Sequence, residues 1–268
     1  MRILMLNANR AGCGTYHRAL WFARICAASG RHAVTLCTVS TTHAWRRRTT
    51  VQHGVTITEG PAWGYRTLPG YGSNWLDILW RWHAVRRGMF DVVYAFEYHP
   101  NVAWPVYLGL QPGQVLLSDW CDWYAGAANV FRGNTWLHAW DRRREDRIRL
   151  RAARVSVISS ALASRAATLG LSPGRITMLR EGVDTRAMYP YNQAAARAQL
   201  NIATDALVVV SLYDGHAFPH LVQACAALRR RDQRVHLLLV GRLAARDHAC
   251  VAAHGLTDGF MATGWCTD

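Results

Sequence analysis

Short apolar segments alternate with longer segments of helical periodicity, and this alternation constrains the fold more than any other feature. Residues 2–8 form an apolar run that stops at a glycine-containing turn, and residues 16–28 then repeat apolar side chains at helical spacing. Ser29 and Gly30 end this helix, and residues 33–39 return to a β-branched run. The segment therefore predicts a βαβ unit, and its repetition predicts an α/β fold built on a parallel sheet.

The same alternation continues and indicates two domains. Further buried-strand candidates, with helices between them, lie at residues 55–58, 92–96, 115–118 and 155–158. A second block starts after Pro190 and predicts strands at residues 206–212, 235–240 and 260–263, with helices at residues 218–230 and 244–254. We predict a domain over residues 1–187, a linker over 188–201 and a partial Rossmann-like domain over 202–268.

Composition excludes several classes of protein. With 51% hydrophobic and 18% charged residues, the chain can bury a core and is not disordered. All 31 basic residues are arginines, and the net charge of +14 favours anionic partners such as phosphates, acidic lipid or nucleic acid. The seven cysteines are odd in number, and no two have the spacing of a zinc or redox motif. We expect a reducing, cytoplasmic location, no metal and no disulfide framework.

The N-terminal apolar run is too short for the apolar region of a signal peptide, and no run of 18 apolar residues predicts a membrane span. Any membrane contact is therefore expected at the inner membrane surface. One candidate is the helix over residues 74–87, whose main apolar stripe, including Trp75 and Leu79, we expect to face the core. Trp80 and Arg81 fall on a second face, which suits an anionic membrane surface or burial on two sides.

Residues 141–154 contain seven arginines and three acids on a predicted helix. Nucleic-acid contact is one interpretation, and a solvated face with acid and arginine pairs three or four residues apart is the other. The sequence contains no helix-turn-helix, zinc finger or aromatic RNA-binding strand beside this charge. We favour the solvated face and predict no nucleic-acid binding.

A turn with Gly12, Cys13 and Gly14 joins the first strand to the first helix. In an α/β protein this position presents backbone N–H groups and a helix N-terminus to a phosphate, although a plain tight turn is an equal alternative. A third glycine at the dinucleotide spacing and an acid at the end of the second strand are both missing. The turn therefore argues against NAD.

Several segments together resemble glycosyltransferase family 4. They read GCGTYHRALWFARICAASGRHAVTL, FDVVYAFEYHPNVAWP, AARVSVISSALASRAATLG and ITMLREGVDTRAMYP, followed by three donor-domain strands in the family's order. The resemblance implies a GT-B-like fold with an acceptor-side first domain and a nucleotide-sugar-binding second domain. It also implies retaining transfer from a nucleoside diphosphate sugar to a glycan or lipid-linked acceptor, without a metal or other cofactor.

The resemblance further implies which residues contact the donor. The diphosphate is expected at the glycine turn after the first strand and at Gly241 and Arg242, and the base at Gly264 and Trp265.

Two departures bear on activity. Where members of the family carry an arginine and a lysine for the diphosphate, this sequence has Ser211 and His216. His216 can carry a charge there, whereas Ser211 cannot. The family's Glu-x7-Glu segment would lie beyond residue 268. We therefore expect impaired transfer from this chain, and the alternative is a non-catalytic fragment, or a subunit completed by a second chain, that binds a glycan or lipid head group.

Candidate acceptor contacts follow two strands of the first domain. The resemblance places His99 near the transferred sugar, and the alternative is a loop histidine bonded to the backbone. Asp119, Trp120 and Asp122 come at a strand's carboxyl end, where open α/β sheets bind their ligands. They predict an acceptor sugar platform, with packing between domains as the alternative.

Overall fold

The computed structural model describes residues 1–64, 72–126, 135–213, 215 and 217–266. The chain divides into two compact units, Met1–Gly182 and Val183–Asp268. Each unit contains a sheet of parallel strands with connecting helices. The predicted α/β class is confirmed.

The first unit is built on an eight-stranded sheet of order β3-β4-β2-β1-β5-β6-β7-β8. Every pair in it is parallel except β3 with β4. The strands are β1 (Arg2–Arg10), β2 (Ala33–Val39), β3 (Arg48–Gln52), β4 (Val55–Gly60), β5 (Val92–Phe96), β6 (Val115–Trp120), β7 (Arg154–Val157) and β8 (Ile176–Met178). Strand β5 has a neighbour on each side and carries only apolar or aromatic side chains, as a strand buried on both faces requires.

Helices cover the two faces of this sheet unequally. They are α1 (Tyr16–Ala28), α2 (Trp75–Arg87), α3 (Pro100–Gly109), α4 (Thr135–Arg151) and α5 (Ser160–Thr168). Side chains of β1 alternate between faces. Ile3 and Met5 belong to the core cluster that includes α1, whereas Leu4 and Leu6 belong to the cluster that includes buried residues of α2, α3, α4 and α5.

The orientation of α2 differs from the prediction. The face turned inward carries Asp77, Arg81 and Val85, and Trp75 and Leu79 are half exposed. Arg81 is fully buried because its Nε donates to Asp77 at 2.9 Å and an Nη donates to the carbonyl of Asn7 at 2.7 Å. Arg81 therefore cannot contact a membrane, so the membrane alternative is wrong for this residue and the alternative of burial holds.

Strand β3 is absent from the sequence prediction and pairs antiparallel with β4. The two strands are joined at His53 and Gly54, which both have positive φ angles, 49° and 76°. A positive φ at consecutive residues is typical of a tight hairpin turn. The three consecutive β-branched residues Thr49, Thr50 and Val51 before this turn were the available signal.

The second unit holds a three-stranded parallel sheet of order β11-β10-β9. Its core includes Phe218, Val222 and Leu237. The elements are α6 (Gln193–Gln199), β9 (Leu207–Leu212), α7 (Phe218–Arg229), β10 (Val235–Val240), α8 (Ala245–Ala253) and β11 (Phe260–Ala262). Both units are thus Rossmann-like. In the described ranges, no helix has the length and apolar character needed to cross a membrane.

Candidate functional site

The glycine turn of the first unit is held by side chains of β1 and the start of α1. Thr15 Oγ1 donates to Asn7 Oδ1 at 2.9 Å, and Asn9 Nδ2 donates to Thr15 Oγ1 at 2.8 Å. Thr38 Oγ1 in turn donates to the carbonyl of Asn9 at 2.7 Å. Residues 12–14 lie exposed above this network, at the carboxyl end of β1. The turn is therefore fixed and open to solvent.

Asp119, at the carboxyl end of β6, is fully buried and saturated with donors. Arg18 donates to both of its oxygens, at 2.8 and 3.0 Å, and Cys121 Sγ lies at 3.0 Å. Ser156 Oγ also donates to it. Arg18 continues to the carbonyl of Leu179 at 2.7 Å, so this ion pair joins α1, β6 and the segment after β8. The carboxylate of Asp119 is therefore occupied by structural hydrogen bonds and is not free to bind an acceptor.

Trp120 is not placed as the predicted acceptor sugar platform requires. Its ring is fully buried in the core, and its Nε1 donates to Glu145 Oε1 at 2.9 Å. The guanidinium of Arg149 lies 5.1 Å from its ring centroid. No ring face of Trp120 is free for a sugar, because the strand turns this residue toward α4. Asp122, two residues on, is exposed.

His99 precedes α3 as its N-cap residue and is buried. Its ring stacks on Tyr98 at 5.1 Å between centroids and meets Tyr124 edge-on at 5.2 Å. Burial lowers the pKa of His99 to about 3, and the charges of Arg144 and Arg149 act in the same direction. The imidazole is therefore neutral near pH 7.

Glu97, which the sequence interpretation did not single out, lies between β5 and His99. Its φ angle is 71°, an uncommon backbone region for a residue with a side chain. Its carboxylate is buried, has no hydrogen-bond partner among the described residues, and lies 3.7 Å from Arg149 Nη2. Burial raises the pKa of Glu97 well above its ordinary value. Burial likewise raises the pKa of Glu145 to about 7.

In the second unit a cavity of about 340 Å³ opens at the carboxyl ends of β9 and β10. It brings together Arg242 and Trp265 from the predicted donor residues, and Gly241 lines it as well. Gly264 pairs with Gly241 through an isolated antiparallel bridge. The lining residues are Leu212, Tyr213, Val240, Gly241, Arg242, Trp265 and Cys266.

Ser211, another predicted donor residue, is not part of this lining. Ser211 lies within β9, and its hydroxyl donates to the carbonyl of Leu212 at 3.0 Å. His216 lies outside the described residues. The sequence interpretation missed Tyr213, whose hydroxyl donates to Asp247 Oδ2 at 2.8 Å. A Cβ on Gly241 would lie 2.6 Å from Tyr213 Cβ, so a glycine is required for this approach.

A family model for Glycosyltransferase Family 4 matches residues 22–187. This match covers more than half of the chain. The chain belongs to glycosyltransferase family 4. A search of curated proteins gives no significant match.

Solved structures share the fold of this family 4 chain at low sequence identity. Sucrose-phosphate synthase from Thermosynechococcus elongatus is 15% identical with a TM-score of 0.70, over 99% of this chain and 70% of that one. Anabaena HepE in complex with UDP and glucose is 14% identical with a TM-score of 0.60, over 100% and 70%. A putative UDP-N-acetylglucosamine 2-epimerase from Listeria monocytogenes is 9% identical with a TM-score of 0.64, over 99% and 69%. These likenesses confirm the GT-B-like fold.

Neither a metal-ligand cluster nor a disulfide is present among the described residues of this family 4 chain. Over the ranges that the structure describes, His, Cys, Asp and Glu side chains form no group that could hold a metal ion. All seven cysteines are free thiols.

Proposed function

We propose that this chain binds a nucleoside diphosphate sugar in the cavity of its second unit and transfers the sugar to a glycan or lipid-linked acceptor with retention of configuration. The observation that carries the proposal is the cavity itself, in which a guanidinium and an indole meet at the carboxyl ends of parallel strands in a family 4 chain. Ligands of α/β sheets bind at such strand ends.

The two side chains suit the two halves of a nucleoside diphosphate. Arg242 offers a fork of N–H donors for phosphate oxygens, and these charge-assisted bonds strengthen as negative charge develops on the leaving diphosphate. The indole of Trp265 is 67% exposed and offers an apolar face for a base. The proposed donor mode therefore uses positioning and charge stabilisation by the protein's own groups.

For the acceptor side, the residues at the carboxyl ends of β5 and β6 have separate roles in the proposal. The exposed carboxylate of Asp122 can accept a hydrogen bond from an acceptor hydroxyl. A neutral His99 can orient a hydroxyl through a hydrogen bond without adding charge. Asp119 and Arg18 hold this edge in place and do not enter the reaction.

Isothermal titration with UDP and GDP tests the donor site. Removing one charge-assisted hydrogen bond costs about 1.5–3 kcal/mol, so Arg242→Ala should weaken nucleotide binding by about 10- to 100-fold. Trp265→Ala should weaken binding as well. Arg231→Ala is the matched control, since Arg231 is exposed in the same unit and does not line the cavity. Equal affinity of the Arg242→Ala and native proteins would refute the donor assignment.

Turnover is measured separately, with a panel of nucleotide sugars and with glycan and polyprenyl phosphate acceptors. Product anomers read by NMR should keep the configuration of the donor. Nucleotide binding without turnover across the panel favours the non-catalytic alternative. Ser211 supports that alternative, because it places no cation at a position where family members carry one.

A further inference from the structure

The outward surface of α2, α3 and α4 exposes apolar side chains on each of its three helices. Trp75 and Leu79 of α2 are each 50% exposed, Leu108 of α3 is 61% exposed, and Trp140 of α4 is 40% exposed. Scattered single apolar residues are normal on protein surfaces, but a contiguous group on adjacent elements indicates an interaction site. We call this region the α2–α4 surface.

Direct contacts make the α2–α4 surface continuous. Trp82 Nε1 of α2 donates to the carbonyl of Leu108 at 3.1 Å. Trp104 of α3 lies 6.5 Å from Trp140 of α4 between ring centroids. The aromatic area continues beyond α2, because Trp75 meets Trp63 edge-on at 6.4 Å and Trp63 stacks on a further tryptophan at 4.9 Å.

The charge of the α2–α4 surface is one-sided. The exposed charged side chains of these helices are Arg86, Arg87, Arg142, Arg143, Arg147 and Arg151. None of the four acidic side chains of the three helices is exposed on the α2–α4 surface. Asp77, Asp141 and Glu145 are buried, and Asp146 is partly buried in an ion pair with Arg165 at 3.1 Å.

This arrangement corrects the interpretation of residues 141–154 as a solvated face with acid and arginine pairs three or four residues apart. Asp141 and Arg144 form a pair three residues apart, yet both are buried. The acids turn inward toward Tyr98, Trp120 and α5. Arg149 is buried as well, beside Trp120, and the outward side of the helix carries Arg142, Arg143, Arg147 and Arg151. The helix thus separates its charges by face.

We propose that the α2–α4 surface docks on an anionic phospholipid bilayer. Exposed tryptophan and leucine side chains beside arginines, without acids, match the boundary between lipid head groups and acyl chains. Arginine attracts the anionic head groups, and its apolar stem packs on neighbouring rings, as Arg86 does on Trp82 at 5.9 Å and Arg151 on Tyr107 at 5.4 Å. The apolar groups favour a bilayer over nucleic acid, because Leu79 and Leu108 offer nothing to phosphates.

This proposal concerns the first unit and does not depend on the proposed sugar transfer. The test is sedimentation of the full chain with vesicles of phosphatidylcholine alone and of phosphatidylcholine mixed with phosphatidylglycerol. Binding is expected to the mixed vesicles and to weaken as salt rises, since each surface arginine contributes through a screened attraction.

Two double variants with equal loss of charge locate the contact. Arg143→Gln with Arg147→Gln should weaken partitioning onto the mixed vesicles by at least about tenfold, given the usual contribution of each arginine near an anionic surface. The control is Arg230→Gln with Arg231→Gln, an exposed pair in the second unit, which should leave partitioning near the native value. Circular dichroism and thermal unfolding verify that both variants remain folded.

A third variant tests the apolar contribution. Leu79→Gln with Leu108→Gln should reduce the vesicle binding that remains at high salt, where electrostatic attraction is screened. The proposal is overturned if mixed vesicles do not bind, or if both arginine double variants lose binding equally. Two further results would overturn it. One is that duplex RNA displaces the protein from vesicles by binding the same arginines. The other is that Leu79→Gln with Leu108→Gln converts a dimer into a monomer without changing vesicle binding.

Discussion

At Gly14 the chain turns with a φ of 53°, and a Cβ built there would lie 2.7 Å from Asn9 Nδ2. Gly14→Ala should therefore lower the free energy of unfolding by about 1–2 kcal/mol through left-handed backbone strain. Displacing Asn9 from Thr15 should lower it further. Gly12→Ala is the matched control, because Gly12 has a φ of 76° with open space around its Cβ position. Denaturant unfolding should rank Gly14→Ala below Gly12→Ala, and the reverse order would contradict this account of the turn.

Glu145 should make stability depend on pH. Burial raises its folded pKa to about 7 from 4.5, so the folded state binds a proton that the unfolded state has released between these values. This contribution is fully present below pH 4.5 and is lost as pH rises through 7, at a slope of up to about 1.4 kcal/mol per pH unit. Glu145→Gln should remove that part of the slope. Parallel unfolding profiles for the two proteins from pH 4.5 to 7 would contradict it.

The sequence placed several site residues correctly at strand ends but could not assign their side chains to a surface. Asp119 is the next-to-last residue of β6 and Asp122 lies two residues beyond the strand, yet Asp119 is buried and Asp122 is exposed. The difference arises from Arg18, which is 101 residues away in sequence and captures Asp119. Such a pairing has no local signature. Glu97 was missed for the same reason, since burial and a positive φ are tertiary properties.

At the scale of elements, α2 illustrates how a polar core overrides hydrophobic periodicity. Its inward face is centred on the buried Asp77–Arg81 pair, so Arg81→Leu leaves Asp77 as an unpaired buried charge. We expect a loss of about 3–5 kcal/mol of unfolding free energy for Arg81→Leu. Arg86→Leu on the exposed face should change stability by less than about 0.5 kcal/mol. Similar losses for the two variants would show that α2 has the orientation predicted from its apolar stripe.

The sequence predicted most strands and helices of the second unit to within two residues, because β-branched runs and helical spacing there agree with the fold. The hairpin of β3 and β4 was missed, since β3 is an edge strand with mostly exposed side chains and lacks an apolar run. In α2 the apolar stripe was real, but its residues Trp75 and Leu79 are half exposed and only Val85 of the stripe is fully buried. Periodicity reports a stripe and cannot tell which side the core lies on when another face contains a buried ion pair.

At the scale of the whole molecule, the sequence supplied the two-part α/β organisation and the resemblance that the family 4 match confirms. The cavity could not be predicted from the sequence. Its lining combines residues at the ends of β9 and β10 and after β11, and only the parallel register of these strands brings them together. The α2–α4 surface likewise depends on three helices that are separated in sequence. Both sites are products of tertiary structure, one in each unit.

Hydrogen–deuterium exchange with and without UDP is the measurement that tests the proposed nucleotide site most directly. Ligand contacts and the ordering they impose slow amide exchange. The account predicts slower exchange with UDP in peptides containing Leu212 and Tyr213, Gly241 and Arg242, and Trp265. Peptides from α5 should exchange at the same rate with and without UDP. Unchanged exchange at the cavity at saturating UDP, or slowing confined to other segments, would contradict the assignment of the donor site.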